Sequence, residues 1–300
     1  MRYLQLYMNF LVYILVYPVI WLISILPFRV LYAISDVVYL MVYYLIGYRK
    51  KVVFNNLKLV FPEKSDKEII EISKKFYHHF VDIFIEMIKS FTISKEELNK
   101  RYVYNNIDLL NELYKDGKSL ILVFGHYANW EWIIGLMQFI DYKGYAAFTK
   151  INNKYFNRKI LNSRQRFGVQ LKPTSKIVRE IDRNYKKNIQ AIYGLLSDQS
   201  PQLSKTFYWS EFLGVKVPIH TGAEMLAKKY DLNIAFVNIK KVKRGFYEST
   251  FSLITNDASK YPDFELTNCY LEKTENQIRT QPEYYFWTHK RFKHKNKAPK

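Results

Sequence analysis

The chain has one cysteine, Cys269, in 300 residues. It can close no internal disulfide, so its cysteine usage permits a reducing compartment. No base partner stands near Cys269, which reads as a small buried hydrophobe. Phosphate-binding glycine loops are missing as well. There is no Gly-x-Gly-x-x-Gly and no Walker A lysine, so nucleotide binding has no motif behind it. The Gly-x-Ser-x-Gly elbow of serine hydrolases is absent. His78 and His79 have no further ligand at metal spacing, and His220 with Glu224 lacks a third, so both read as structural and no metal or cofactor is expected. Acidic residues are scarce: 27 Asp and Glu face 46 Lys and Arg, a net charge of +19. That field attracts anions, but no nucleic-acid motif accompanies it, and an anionic membrane surface is the simplest partner.

Charge is also missing from one long stretch. Residues 8–28 carry no charged side chain, long enough to span a bilayer core and too long for a cleaved leader. A second stretch, Val30 to Tyr48, contains Asp36 and many tyrosines, and reads as an interfacial helix or a poorer second span. Arg49-Lys50-Lys51 then places the remainder in the cytoplasm by the positive-inside tendency. The expected division is a membrane anchor over 1–48 and one domain over 49–300. The competing reading of 1–48 is an apolar helical hairpin buried in a soluble core.

Beyond the anchor, Ser65-x-x-Glu68 and Ser94-x-x-Glu97 are capping boxes that open helices, and residues 107–116 form another helix stopped by Gly117. From Ser119 the pattern alternates. Strands are expected at 119–124, 144–149, 169–172, 190–196 and 233–240, and helices at 129–140, 154–167, 175–187 and 220–230. A hairpin at 234–254 turns at Lys243-Arg244-Gly245, and a last helix covers 264–280. Alternation of this kind predicts an α/β architecture, a mixed sheet flanked by helices. The C-terminal run Lys290–Lys297 reads as a solvated basic tail, or as a contact for anionic lipid.

The chemistry concentrates where the first of those strands ends, in Gly125-His126-Tyr-Ala-Asn129-Trp130-Glu131. On one continuous helix, residues five apart are about 140° out of phase. With Gly125 as the turn and a helix beginning near Asn129, Glu131 can reach one imidazole nitrogen of His126 and leave the other free as a general base. The same pair also fits a core histidine followed by a carboxylate that favours the helix dipole. Three further stretches could line the same cleft. Lys150 and Asn153 follow a strand, Arg158 and Arg164 lie on the next helix, and Asp198-Gln199 ends another strand.

Together these segments resemble the lipid A biosynthesis (lauroyl/myristoyl) acyltransferases of the lysophospholipid-acyltransferase-like group. The resemblance covers nearly the whole chain. It rests on the apolar N-terminus, Arg49-Lys-Lys-Val-Val-Phe-Asn55-Asn56, the His126-x4-Glu131 motif, Arg164-Gln-Arg-Phe167-Gly168, Asp198-Gln199 and Gln281-Pro-Glu-Tyr-Tyr-Phe-Trp287-Thr-His289-Lys-Arg291. It implies a glycerolipid-acyltransferase-like fold and an enzyme of the cytoplasmic face of the bacterial inner membrane. Such an enzyme moves a fatty acyl group from acyl carrier protein to a hydroxyl of a lipid A precursor, with no cofactor. On the resemblance His126 is the base, Glu131 orients it, and Arg164 and Asp198 help hold the acceptor or the developing charge. Lys150, where the family often has arginine, and Asn153, followed by Lys154 rather than proline, depart from the pattern on the acceptor side. An aminolipid or glycerolipid acceptor therefore stands as an alternative, as does a membrane-anchored basic binding protein without activity.

Overall fold

The computed structural model describes residues 2–298, with side chains from residue 7 onward. The chain opens with α1 (Arg2–Ile25) and α2 (Phe28–Leu40), which runs on into a π-helical turn, Met41–Ile46. Tyr7–Ile25 and Phe28–Ile46 are each long and apolar enough to cross a membrane, and only 6% and 17% of these stretches are buried inside the protein. Neither is therefore a core helix, which removes the buried-hairpin reading of the N-terminus. Next come α3 (Lys50–Val60), α4 (Asp66–Lys89) and α5 (Lys95–Arg101). The Ser65 hydroxyl accepts from the Glu68 amide and the Glu68 carboxylate accepts from the Ser65 amide, the reciprocal cap that the sequence announces.

The α/β body then runs through β1 (Tyr102–Asn105), α6 (Asp108–Lys115), β2 (Leu120–Phe124), β3 (Lys143–Phe148), α7 (Lys154–Gln165), β4 (Val169–Pro173) and α8 (Ile177–Lys186). It continues with β5 (Ala191–Leu196), β6 (Tyr208–Phe212), β7 (Val215–Ile219), α9 (Gly222–Tyr230), β8 (Asn233–Lys243), β9 (Phe246–Thr255) and α10 (Glu265–Thr280). The expected helix at 129–140 is instead a 3-10 segment, Trp132–Gln138. Trp132, Ile134, Gly135 and Leu136 are all buried there, more than one α-helical stripe can hide. A Cβ on Gly135 would lie 2.3 Å from the Tyr104 hydroxyl, so the segment packs against the sheet through its backbone. Sequence periodicity also misses β1 and the small β6–β7 hairpin.

The main sheet has seven strands in the order β1-β9-β8-β2-β5-β3-β4. β2 lies inside it, parallel to β8 on one side and β5 on the other, and every residue of β2 is buried. Such a strand reads as a continuous apolar run, as Leu120–Phe124 does. β8 and β9 pair antiparallel, and β9 brings β1 to the edge.

Two contacts bind the chain's ends to this body. The β8–β9 hairpin carries Arg244 at its tip into the cleft between α2 and α4, where the guanidinium bonds Asp82 at 2.7 Å and Asp36 at 2.6 Å. Gly245 makes this possible: its φ is +74°, and a Cβ there would meet the Tyr32 hydroxyl at 1.9 Å. At the other end, the Asn56 amide on α3 donates to the Trp287 and His289 carbonyls, each at 2.9 Å, and Arg49 donates to Thr288 O at 3.0 Å. The basic tail is accordingly not all solvated, because Arg291 and Phe292 turn inward and are 1% and 5% exposed.

Candidate active site

The sheet register builds the site. β2 and β5 are parallel neighbours with Phe124 opposite Leu196. Two residues further along each strand stand His126 and Asp198, so the register that pairs the strands also pairs these side chains. They meet at 2.8 Å, His126 Nδ1 to Asp198 Oδ1. The position is the crevice at the carboxyl ends of the strands, where open α/β sheets bind ligands.

Asp198 is fully buried. Burial alone raises a carboxyl's pKa; the imidazole beside it and hydrogen bonds from His126 outweigh that and hold Asp198 below the usual range. The carboxylate can only accept, so Nδ1 carries the proton and Nε2 keeps its lone pair.

Glu131 is not the carboxylate on the imidazole. It forms an ion pair with Arg164 of α7 at 2.6 Å, both side chains being partly exposed. The expectation that Glu131 orients His126 is corrected on this point, and its physical reason is the 3-10 start. Glu131 precedes that segment at φ −73° and ψ −36°, its side chain reaching α7 rather than back across the turn. Asp198, expected to help hold the acceptor or the developing charge, lies behind the imidazole and is not on the wall of the cavity that His126 lines.

His126, Glu131 and Arg164 share a cavity of about 540 Å³. Its remaining wall is mostly apolar and comes from α1 (Ile20), α4 (Phe84, Met87), β3 (Phe148) and α7 (Ile160). Trp130 stands edge-on to the His126 ring at 5.3 Å. Asn153, expected at the acceptor, caps α7 by accepting from the Tyr155 amide at 3.0 Å and donates to Asn9 O of α1 at 2.8 Å. Lys150 is exposed on the loop after β3, and neither residue lines this cavity, although Thr149, Ile151 and Asn157 do. Arg158 is exposed on α7. A larger cavity, about 640 Å³, opens between β8, β9 and α10, but it holds neither His126 nor Glu131.

Residues outside the expected set hold the His126 loop. Ala128 adopts φ +47°, a left-handed conformation that an alanine takes only under constraint. The constraint is the segment after α10: the Ala128 amide donates to Tyr284 O at 3.0 Å, and Phe286 N donates to His126 O at 3.1 Å. Asn129 accepts from the Trp132 amide at 3.0 Å and donates to the Glu86 carboxylate at 2.7 Å. Glu86 also accepts from the Tyr32 and Tyr247 hydroxyls, each at 2.8 Å. Burial dominates this acid and pushes it up to about 7. In the sequence Glu86 is one position on an amphipathic helix, and nothing local marks it.

Comparison with known proteins fits this geometry. The sequence model of the bacterial lipid A biosynthesis acyltransferases matches residues 1–294. The chain belongs to that family. A search of curated proteins finds no match. Among the described residues of this acyltransferase, no group of three or more His, Cys, Asp or Glu side chains is placed to hold a metal ion. A lipid acceptor, which the family implies, suits the predominantly apolar wall of the cavity that His126 lines.

Proposed function

We propose that this acyltransferase moves a fatty acyl chain from the thioester of acyl carrier protein to a hydroxyl of a lipid A precursor, late in lipid A assembly. The observation that carries the reading is the His126–Asp198 pair, with His126 on the wall of a largely apolar cavity. The acceptor hydroxyl gives its proton to His126 Nε2 as its oxygen attacks the thioester carbonyl carbon. Asp198 stabilises the imidazolium that forms. The tetrahedral intermediate collapses with cleavage of the C–S bond, and the imidazolium returns its proton to the leaving thiolate. Arg164, held by Glu131 on the cavity wall, supplies positive charge to the oxyanion or to an acidic group of the acceptor. No cofactor takes part in this scheme.

The acidic carrier protein is drawn by the +19 charge of the chain. The two apolar N-terminal stretches hold the enzyme in the bacterial inner membrane, and the Arg49-Lys50-Lys51 cluster keeps the catalytic body on the cytoplasmic face. α1 contributes Ile20 to the cavity, so a lipid substrate can enter beside the membrane helix. The test is acyl transfer by the full-length chain, in detergent, with acyl carrier protein as donor and lipid A precursor or glycerolipid as acceptor. Transfer to the precursor, lost by about 10³-fold or more in His126→Ala, is expected. A His126→Ala protein of normal activity refutes the chemistry, and acylation of the glycerolipid alone refutes the acceptor.

A further inference from the structure

The apolar length of Tyr7–Ile25 and Phe28–Ile46 admits a membrane crossing, but their packing does not. One stripe of α1 touches the body from end to end. Asn9 O accepts from Asn153 at 2.8 Å, and Phe10 and Tyr13 meet the Tyr155 ring at 5.3 and 5.4 Å. Lys159 Nζ lies 4.7 Å from the centre of the Tyr17 ring, and Ser24 O accepts from Lys89 Nζ at 2.9 Å. Asn9 to Ser24 covers about 22 Å of helix, most of a bilayer core of about 30 Å. α2 is bound in the same way. Its Tyr32 donates to Glu86 and its Ser35 to Asp82, while Asp36 pairs with Arg244 at 2.6 Å and with His78 at 2.9 Å. A lysine thus stands near the midpoint of the first stretch, and a half-exposed carboxylate near the midpoint of the second. In a crossing orientation these charges, and with them the cationic helix α7, would lie at the depth of the lipid chains. Polar and ionised groups are strongly unfavourable there.

The opposite stripe is apolar and bare. On α1 it consists of Met8, Leu11, Leu15, Val19 and Leu22, each more than half exposed. Helical spacing turns these residues away from Phe10, Tyr13, Tyr17 and Ser24. On α2 and the turn after it, Val37, Leu40 and Leu45 are equally open. We propose that neither helix crosses the bilayer: α1 and α2 lie along its cytoplasmic surface, with these outer stripes sunk into a single leaflet. This attachment presupposes that the chain works at the inner membrane, and is independent of the acyl-transfer chemistry. An anionic leaflet suits the surroundings, because Arg29, Arg49, Lys51, Lys154 and Arg158 are exposed on and beside the two helices. Ile20, on the inner side of α1, belongs to the wall of the His126 cavity. The leaflet then lies about one helix diameter, roughly 10 Å, from that cavity. Phe84, of the same wall, is exposed, so lipid tails reach the cavity sideways from the leaflet.

The test uses the full-length chain with Cys269→Ser, so that each introduced cysteine is unique. Spin labels are attached at Leu11→Cys, Leu15→Cys or Leu22→Cys, exposed positions that line no part of the His126 cavity. The protein is bound to vesicles of phosphatidylethanolamine and phosphatidylglycerol. Depth is read from collisions of each label with oxygen against collisions with a water-soluble nickel chelate. All three labels are expected at one depth, about 5–10 Å into the boundary between headgroups and acyl chains. A crossing helix, rising about 1.5 Å per residue, puts Leu15 about 6 Å deeper than Leu11 and Leu22, and that profile overturns the proposal. Labels shielded from both reagents overturn it too, because a protein partner or a second copy then covers this face. In spheroplasts, a membrane-impermeant maleimide is expected to leave Tyr7→Cys and Arg29→Cys unmodified, and reaction of either from the outer side means a crossing. Vesicles that fail to retain the protein overturn the membrane reading itself, so its failure is distinct from a failure of the in-plane attachment.

Discussion

Two buried carboxylates flank the His126–Glu131 loop, and their surroundings make them opposites. Asp198, at the end of β5, faces the imidazole, whose charge and hydrogen bonds hold it below the usual carboxylate range despite full burial. Glu86, on α4, faces two tyrosine hydroxyls and the Asn129 amide, and burial pushes it up to about 7. Both acids fix the same loop, one through the His126 ring and the other through Asn129. At Glu86 burial outweighs the Lys241 charge and the hydroxyl donors, whereas at Asp198 the imidazole and its hydrogen bonds outweigh burial. The charged one stands against His126, the proposed base; the other holds a turn.

The largest difference between the two should appear in turnover. Asp198→Asn removes the acceptor from the imidazole while preserving shape, and should lower kcat by about 10³- to 10⁴-fold. Glu86→Gln should leave kcat within about 10-fold, since it touches the base only through a backbone turn. Equal losses in both variants would erase the distinction.

The polar cluster beside Glu86 should answer instead in stability. Arg244 joins Asp82, which is fully buried, to Asp36 on α2. Arg244→Ala leaves a buried carboxylate without its main partner and should cost about 3–5 kcal/mol in denaturant melts. The fraction that remains folded should turn over at nearly the wild-type rate.

A smaller effect separates the acids by pH. Glu86 is raised from an ordinary 4.5 to about 7, so the unfolded chain releases this proton earlier than the folded one. Its contribution to stability is complete below about 4.5 and is lost as pH rises towards about 7. Asp198 is lowered, so its contribution is present above the usual carboxylate range and is lost only as pH falls through its depressed value. Melting curves between pH 4.5 and 7.5 should show Glu86→Gln flattening the decline, with Asp198→Asn leaving the slope there unchanged. The smallest effect belongs to Asn153, whose side chain caps α7: Asn153→Ala should cost about 1 kcal/mol, read from the shift in Tm, without a change in kcat.

Much of this architecture is legible from residue order alone. The apolar N-terminal stretches, the Ser65 cap, the strands around Gly125-His126 and the Arg244-Gly245 turn all follow from local pattern. The partner of His126 does not. Choosing Glu131 follows from nearness in the chain, whereas the structure's choice of Asp198 follows from β5 lying beside β2, with β3 and β4 displaced outward. Strand order is a non-local property, and 72 residues separate the two side chains. The same limit hides Glu86, whose meaning lies in what three distant segments bring to it. Lys150 and Asn153 mislead for a related reason: the loop after β3 does border the cavity, but through Thr149, Ile151 and Asn157 rather than through its most polar members.

The central claim is that Asp198, not Glu131, orients the imidazole. A long-range proton–nitrogen NMR correlation on the full-length chain, labelled with ¹⁵N at histidine and assigned through His126→Gln, reads that directly. The wild type should show His126 protonated at Nδ1 above its titration, Glu131→Gln should keep that tautomer, and Asp198→Asn should lose it. An Nε2–H tautomer in the wild type, or one that changes with Glu131→Gln and not with Asp198→Asn, would contradict the account.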